Sequence, residues 1–143
     1  MSPSPGRVLA VDLGERRIGV AVCDESRLVV RPLGVIESVG PKRDAKALRH
    51  LTADLAIELL VVGLPLDADG EEGPAAISAR ERGTDLARRV ELPVDFADES
   101  RSTVVARERL IESGTTRARR LVVDADAAAV ILETWLSERD RGV

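Results

Sequence analysis

Three acidic residues, far apart in the chain, are the side chains best suited to carry chemistry. Asp12 ends an apolar run and is followed by Leu13 and Gly14, Glu99 follows another apolar run, and Asp124 precedes an apolar helical stripe. The chain has one cysteine and one histidine, which argues against a thiolate or imidazole zinc site and against a Ser-His triad. Catalysis would therefore depend on carboxylates, whose hard oxygen atoms favour Mg²⁺ or Mn²⁺.

The elements predicted around these acids form an α/β fold. Apolar runs predict strands over 8–13, 18–23, 28–36, 59–64 and 93–97, and helical spacing predicts about four helices, within 45–59, 74–90 and 103–113 and from near Asp124. This order predicts one mixed five-stranded sheet, an antiparallel meander plus two parallel strands, covered by helices. Pro32 places the third strand at an edge or a bulge.

The predicted sheet brings the three acids together. Asp12 and Glu99 follow the carboxyl ends of the first and fifth strands, where such sheets hold their ligands. Asp124, four residues before Ala128, continues the apolar stripe of the last helix. Strand alternation turns Asp98 away from Glu99, so Asp98 is the alternative ligand if the register differs by one residue.

Two further observations bear on the acids. Asp126 is turned roughly 200° from Asp124 around the helix and is predicted to face solvent. Structural roles stay open for two of the three acids: Asp12 could cap the turn before Gly14, and Asp124 could be an N-terminal helix acid favoured by the macrodipole.

Clustered carboxylates need cations. At 4 Å and an effective dielectric near 20, each pair repels by about 4 kcal/mol. Two Mg²⁺ or Mn²⁺ ions would remove this repulsion, activate a water and stabilise the leaving oxygen of a phosphodiester. The acidic trio therefore predicts hydrolysis of nucleic acid.

Charge is unevenly distributed along the chain. The formal net charge is −4, yet residues 101–120 contain six arginines against only Glu108 and Glu112. A solvated helix face is one explanation of this segment, and a surface that binds phosphates is the other. The arginines that would contact phosphate are Arg16, Arg17, Arg101, Arg107, Arg117, Arg119 and Arg120.

Length and composition indicate one domain over residues 1–143, with residues 1–5 loose, because 44% apolar content suffices for one core. No apolar run approaches the roughly 18 residues of a membrane span, and the N-terminus lacks a secretion-signal pattern. A soluble cytoplasmic protein is expected. Cys23 is predicted to be core packing, and His50 falls on the polar side of a predicted helix.

Four ordered motifs resemble the YqgF/RuvX family, the RuvC-like proteins of the RNase H-like superfamily. They are Val11-Asp12-Leu-Gly14-Glu-Arg-Arg-Ile-Gly-Val-Ala21, Val62-Gly-Leu-Pro-Leu-Asp-Ala-Asp-Gly70, Asp98-Glu99-Ser-Arg-Ser-Thr103, and Val123-Asp124 leading into Ala127-Ala-Ala-Val-Ile-Leu-Glu133. The likeness covers nearly the whole chain. It implies an RNase H-like fold, and it carries the family's acidic residues over to Asp12, Glu99 and Asp124.

The sequence departs from the family pattern at two places. The third motif usually continues with arginine and leucine where this chain has Ser100 and Arg101, so the usual arginine is missing or displaced by one residue. Glu15 stands where the family has threonine and adds negative charge near the site. The resemblance also implies that the loop over residues 63–73 is a flexible flap that contacts substrate.

Three classes of function follow. The first is a nuclease for structured RNA that matures the 5′ end of pre-16S rRNA; a variant, cleavage of Holliday junctions or other branched DNA, would need two active sites and hence a homodimer rather than a monomer. The second is ATP binding, since Asp-Leu-Gly before a hairpin also opens the actin-like fold, but one lobe of 143 residues forms no interlobe cleft. The third is a weakly active or inactive RNA-binding processing factor.

Overall fold

The computed structural model describes residues 6–98 and 117–141, which form five strands and three helices. The strands are β1 (Arg7–Leu13), β2 (Arg17–Cys23), β3 (Val30–Glu37), β4 (Ile57–Leu64) and β5 (Val94–Asp98). The helices are α1 (Pro41–Thr52), α2 (Pro74–Arg89) and α3 (Arg117–Arg141). The helix predicted over 103–113 and the loose residues 1–5 lie outside the described residues.

The sheet has the predicted mixed topology. Its strand order is β3-β2-β1-β4-β5. β1 pairs antiparallel with β2 and β2 antiparallel with β3, whereas β4 runs parallel to both β1 and β5. The carboxyl ends of β1, β4 and β5 therefore lie together at one end of the sheet, called here the carboxyl end.

β3 is an edge strand with an irregular register, as its proline predicts. Val20 of β2 pairs with Gly34, but the next residue, Ala21, pairs with Pro32, so Leu33 is the extra residue of a bulge. Proline has no N–H to donate, and an edge or a bulge is where a sheet tolerates that loss.

Each face of the sheet packs against different helices. On the α1/α2 face, Leu9 and Val11 of β1 pack in one buried cluster with Leu48 of α1 and Leu86 of α2. On the α3 face, the second cluster is formed by Val8, Ala10, Cys23, Val61, Ala97, Ile131, Leu132 and Trp135. This confirms that Cys23 is a core residue and that α3 presents the predicted apolar stripe to the sheet.

The last helix begins earlier than predicted. α3 starts at Arg117, seven residues before Asp124, so residues 117–123 are helical rather than a loop. The arginines at 117, 119 and 120 indicated a basic loop, although arginine and alanine are both good helix formers and residues 121–123 are apolar. None of the helices in the described part of the chain is long and apolar enough to cross a membrane.

α1 is shorter than its apolar spacing predicts. The helix ends at Thr52, whereas the helical pattern continues through Leu55 and Leu59. Leu55 packs against the core from the connection, and Leu59 already belongs to β4. Leu55 in the connection and Leu59 in β4 thus continue the helical spacing by chance, although neither belongs to the helix.

Candidate active site

Asp12 is the penultimate residue of β1, at the carboxyl end of a central strand. Val11 and Leu13 pack on the α1/α2 face, so alternation directs Asp12 to the α3 face, where it is partly buried. Its partner across the antiparallel pair is Gly19, which has no side chain. Asp12 is therefore the last residue of β1 on the α3 face, and the residue beside it on β2 is a glycine.

Main-chain hydrogen bonds close the turn that follows Asp12. The Gly14 N–H lies 3.2 Å from the Asp12 carbonyl oxygen and 3.0 Å from that of Arg17. A Cβ on Gly14 would lie 2.6 Å from the Arg17 carbonyl oxygen, closer than packing allows, so the turn requires glycine here.

The two acids of β5, Asp95 and Asp98, lie on different faces of the sheet. Phe96 packs on the α1/α2 face, whereas Asp95 accepts a hydrogen bond from Trp135 of α3. Asp98, two residues beyond Phe96, is thus directed to the α1/α2 face and is exposed. Asp12 and Asp98 lie on opposite faces, which argues against Asp98 as a co-ligand. Glu99 lies outside the described residues.

Asp124 lies at the eighth position of α3. It is two turns inside the helix, beyond the first turn in which the macrodipole stabilises acids, so a role as a simple N-terminal acid loses support. Ala128, one turn later, is fully buried against the sheet. The position of the Asp124 carboxylate itself is outside the described part of the structure.

Asp126 differs from the prediction that it faces solvent. It is partly buried and makes an interaction. The reason is that Ala125, Ala127, Ala128 and Ala129 are all buried, so the neighbouring structure covers more of the helix than one stripe. The apolar spacing from Ala128 to Leu136 indicated only the narrower stripe.

The predicted phosphate-binding arginines divide into three groups. Arg16, exposed, and Arg17, partly buried, lie in and just after the turn that follows Asp12. Arg17 is in register with Glu37 of β3 and alternates onto the same face as Gly19. Arg117, Arg119 and Arg120 lie in the first turn of α3 by backbone position. Arg101 and Arg107 fall outside the described residues.

A polar junction that the sequence did not indicate lies behind the turn. Arg82 of α2 donates to the Gly14 carbonyl oxygen (2.6 Å) and to the Ser38 hydroxyl (2.8 Å). The Ser38 hydroxyl donates to Asp44 (2.7 Å), which is buried in the first turn of α1. Arg82 and Gly14 are 68 residues apart, and no local pattern links them.

The loop between β4 and α2 is held by its own hydrogen bonds. Asp67 accepts the N–H groups of Asp69 (3.0 Å) and Glu71 (2.9 Å). Glu72 accepts two hydrogen bonds from Arg80 (2.9 and 2.8 Å), which lower the pKa of its carboxyl. The Arg80 guanidinium also lies 4.6 Å from the centroid of the Phe96 ring on β5. These contacts tie the segment predicted to be a flap to α2.

Asp95 anchors α3 to the edge of the sheet. Its carboxylate accepts a hydrogen bond from the Trp135 indole (2.9 Å) and contacts the Arg139 guanidinium. Burial alone would raise the pKa of Asp95, but the hydrogen bonds from Trp135, the Phe96 N–H and Arg139 outweigh it and lower that pKa. These contacts hold α3 against β5.

Within residues 6–98 and 117–141, no group of three or more His, Cys, Asp or Glu side chains is placed to hold a metal ion. The predicted trio includes Glu99 and the carboxylate of Asp124, both outside the described part. What the described residues supply is one ligand of the right chemistry, the Asp12 carboxylate. Oxygen donors of this type suit Mg²⁺ and Mn²⁺.

Comparisons with known proteins agree with this arrangement. A family model described as RuvX: Holliday junction resolvase matches residues 6–138. A Paracoccus denitrificans protein described as "Putative pre-16S rRNA nuclease" is 46% identical over 132 residues, covering 92% of this chain and 84% of the relative. A Roseiflexus protein of the same description is 38% identical over 140 residues, covering 97% and 99%.

Among solved structures, Thermus thermophilus RuvC in complex with a Holliday junction substrate matches with a TM-score of 0.55. The match covers 94% of this chain and 95% of that chain at 18% identity. At that identity the likeness concerns the fold, and it confirms the RNase H-like sheet expected from the motifs.

Proposed function

Because the chain belongs to the RuvX family, we propose that it is a nuclease that hydrolyses phosphodiester bonds of structured nucleic acid. The observation that carries this proposal is the placement of Asp12. A carboxylate stands at the carboxyl end of a central strand, on the face covered by α3, with Gly19 opposite and two arginines in the adjoining turn.

We infer that the substrate is the 5′ end of pre-16S rRNA. The support is the description shared by the two relatives, which this chain covers over 84% and 99% of their lengths. Such a substrate would place the protein in the cytoplasm. Branched DNA is the second candidate, supported by the description of the family model and by the junction-bound RuvC neighbour. Cleaving both strands of a junction would require a homodimer, whereas a monomer suffices for RNA processing.

The proposed metal ligands are Asp12, Glu99 and Asp124. When bound there, two Mg²⁺ or Mn²⁺ ions would supply an activated water and stabilise the leaving oxygen. The face on which Asp12 lies supports Glu99 over Asp98, because side chains alternate along β5 and Asp98 is directed to the other face. The buried stripe of α3 supports Asp124, which lies one turn before Ala128.

The chain's arginines would hold the substrate backbone. Arg16 and Arg17 lie in and just after the turn that follows Asp12 and are proposed to bind phosphates flanking the scissile bond. Further phosphate contacts are assigned to the remaining predicted arginines, Arg101, Arg107, Arg117, Arg119 and Arg120. Binding of this kind carries no sequence preference and weakens as salt rises.

Cleavage assays with the wild type and Asp12→Asn test the proposal. Each protein is incubated with a precursor 16S 5′ fragment and with a four-way DNA junction, in Mg²⁺, in Mn²⁺ and in EDTA. We expect metal-dependent cleavage of the RNA by the wild type and a loss of at least about a hundredfold in the variant, because a charged group at the reacting centre is removed.

Other outcomes of this assay separate the alternatives. Cleavage of the junction alone would favour the DNA resolvase. RNA binding that survives Asp12→Asn, without metal-dependent product from either protein, would contradict the nuclease and support a processing factor that binds RNA. Equal cleavage by the variant would remove Asp12 from the site.

A further inference from the structure

Three elements meet at the guanidinium of Arg82. It comes from α2, donates to the carbonyl oxygen of Gly14 in the turn after Asp12, and donates to Ser38 between β3 and α1. The side chain is one-third exposed. The two terminal nitrogen atoms, Nη1 and Nη2, each donate to a protein acceptor, so the guanidinium links the turn after Asp12 to Ser38.

The Ser38 hydroxyl connects Arg82 to a buried carboxylate. It accepts from Arg82 at 2.8 Å and donates to Asp44 at 2.7 Å. Asp44 also accepts the Val39 N–H at 2.9 Å and lies 3.9 Å from the Arg82 guanidinium. Because the Asp44 side chain is only 6% exposed, it has a fixed position and holds Ser38 in one orientation. The guanidinium thus has one preferred placement.

The turn that Arg82 holds is closed by main-chain hydrogen bonds and borders a partly open pocket. Gly14 is 2 residues beyond Asp12, and its N–H is bonded to Arg17 across the turn. Beside the turn lies a partly open pocket of about 180 Å³ whose lining includes Leu13 and Ile18 together with Arg82 itself. The end of β1 is therefore not packed on all sides on the α1/α2 face, and the hydrogen bond from Arg82 is a long-range contact that holds the turn there.

We propose that Arg82 is a positioning residue for Asp12: by holding the Gly14 carbonyl, it fixes the end of β1 and with it the direction of the Asp12 carboxylate. This inference rests on the proposed nuclease activity. Arg82 lies on α2, on the far side of the sheet from α3, so it acts through the backbone and touches neither substrate nor reacting atoms.

The test compares Arg82→Met, Arg82→Lys and a matched control, Arg49→Met. Arg49 also donates to a main-chain oxygen, that of Arg89 at 2.8 Å, and so joins α1 to α2 at the ends of those helices. Methionine keeps much of the apolar stem and removes the donors. All assays are run well below the melting temperature of the least stable variant.

We expect Arg82→Met to lower kcat by roughly 10- to 100-fold, since a catalytic group misplaced by about 1 Å can cost that much. KM should stay near the wild-type value, because the substrate contacts are kept. Arg82→Lys should recover part of kcat, since its ammonium still donates to Gly14 but lacks the planar fork that also reaches Ser38. Arg49→Met should match the wild type in kcat and KM.

Amide hydrogen exchange gives a readout independent of catalysis. In Arg82→Met the Gly14 amide should exchange at least about tenfold faster, while the amides of Leu9 to Val11 in the middle of β1 keep their protection. Unchanged exchange at Gly14, or a kcat equal to that of Arg49→Met in a protein whose cleavage needs Asp12, overturns the positioning role. A wild type that cleaves neither substrate overturns the nuclease instead, and the exchange result then still decides whether Arg82 holds the turn.

Discussion

On the α1/α2 face of β1, Leu9, Val11 and Leu13 carry large apolar side chains into the core, whereas on the α3 face Val8 and Ala10 are followed by Asp12. In β1, the α1/α2 face is thus apolar to the end of the strand, and the α3 face ends in an acid. In β5, Phe96 packs on the first face and Asp95 bonds to α3 on the second.

The contrast extends to the helices. α2 covers the first face with Leu86 and Ala87, and α3 covers the second with buried alanines around Ile131 and Leu132. Small side chains let α3 approach the sheet closely. The α1/α2 face thus mainly stabilises the fold and holds the turn, while the α3 face carries Asp12, the one proposed metal ligand whose side chain the structure describes.

Two glycine substitutions, one in the turn after Asp12 and one on the α1/α2 face, should separate an effect on stability from an effect on cleavage. In Gly14→Ala the new Cβ would meet the Arg17 carbonyl oxygen at 2.6 Å, so the turn must shift. We expect a loss of about 1–3 kcal/mol in the free energy of unfolding from overpacking, and cleavage lowered by about tenfold or more because Asp12 moves. Urea unfolding and the cleavage assay measure the two effects.

Gly83→Ala is the matched substitution on the α1/α2 face. Its Cβ would lie 2.9 Å from both methyl groups of Val62, which should cost about 1–3 kcal/mol, partly offset by about 1 kcal/mol from the higher helix propensity of alanine. Cleavage per folded molecule should fall less than in Gly14→Ala, because a shift of α2 reaches the turn only through Arg82. If Gly83→Ala loses as much activity as Gly14→Ala, the two faces do not divide these tasks.

The smallest expected effect concerns the pH dependence of the tie between β5 and α3. Hydrogen bonds from Trp135, the Phe96 N–H and Arg139 overcome the effect of burial and lower the pKa of Asp95. A carboxylate whose folded-state pKa lies below its unfolded value of about 3.9 stabilises the fold above that pH. The stabilisation is lost as the pH falls through the folded-state pKa.

The difference in unfolding free energy between the wild type and Asp95→Asn should therefore be largest near neutral pH and shrink below about pH 4. Asp54→Asn, an exposed site after α1, controls for the change in net charge. A gap that stays constant from neutral pH down to about pH 3 would mean that ionised Asp95 does not fasten α3.

Local patterns predicted most of the fold. The apolar runs around Val11 and Val62 identified their strands, and Pro32 located the edge strand and its bulge. The start of α3 was placed wrongly, at Asp124, because the three arginines within residues 117–120 indicated a basic loop. Their helix propensity and the helical spacing of Leu121, Ala125 and Ala128 were the signals that could have extended the helix.

The candidate site was predictable only in part. The position of Asp12 at the carboxyl end of a central strand could be predicted because a carboxylate ends an apolar run before a glycine. The contacts of Arg82 with Gly14 and Ser38 could not, since they join residues 68 and 44 positions apart and each is an ordinary helix or loop residue on its own. Partial burial of Asp126 was missed because it depends on how widely the neighbouring structure covers α3.

A titration of Mn²⁺ followed by electron paramagnetic resonance tests the metal site most directly. It compares the wild type with Asp12→Asn, Glu99→Gln and Asp124→Asn, and uses Asp98→Asn as the control on the opposite face. We predict that the first three variants bind Mn²⁺ at least about tenfold more weakly, since each loses a charged ligand, and that Asp98→Asn binds like the wild type. Loss of binding in Asp98→Asn with wild-type binding in Glu99→Gln would contradict the assignment of the site to the α3 face.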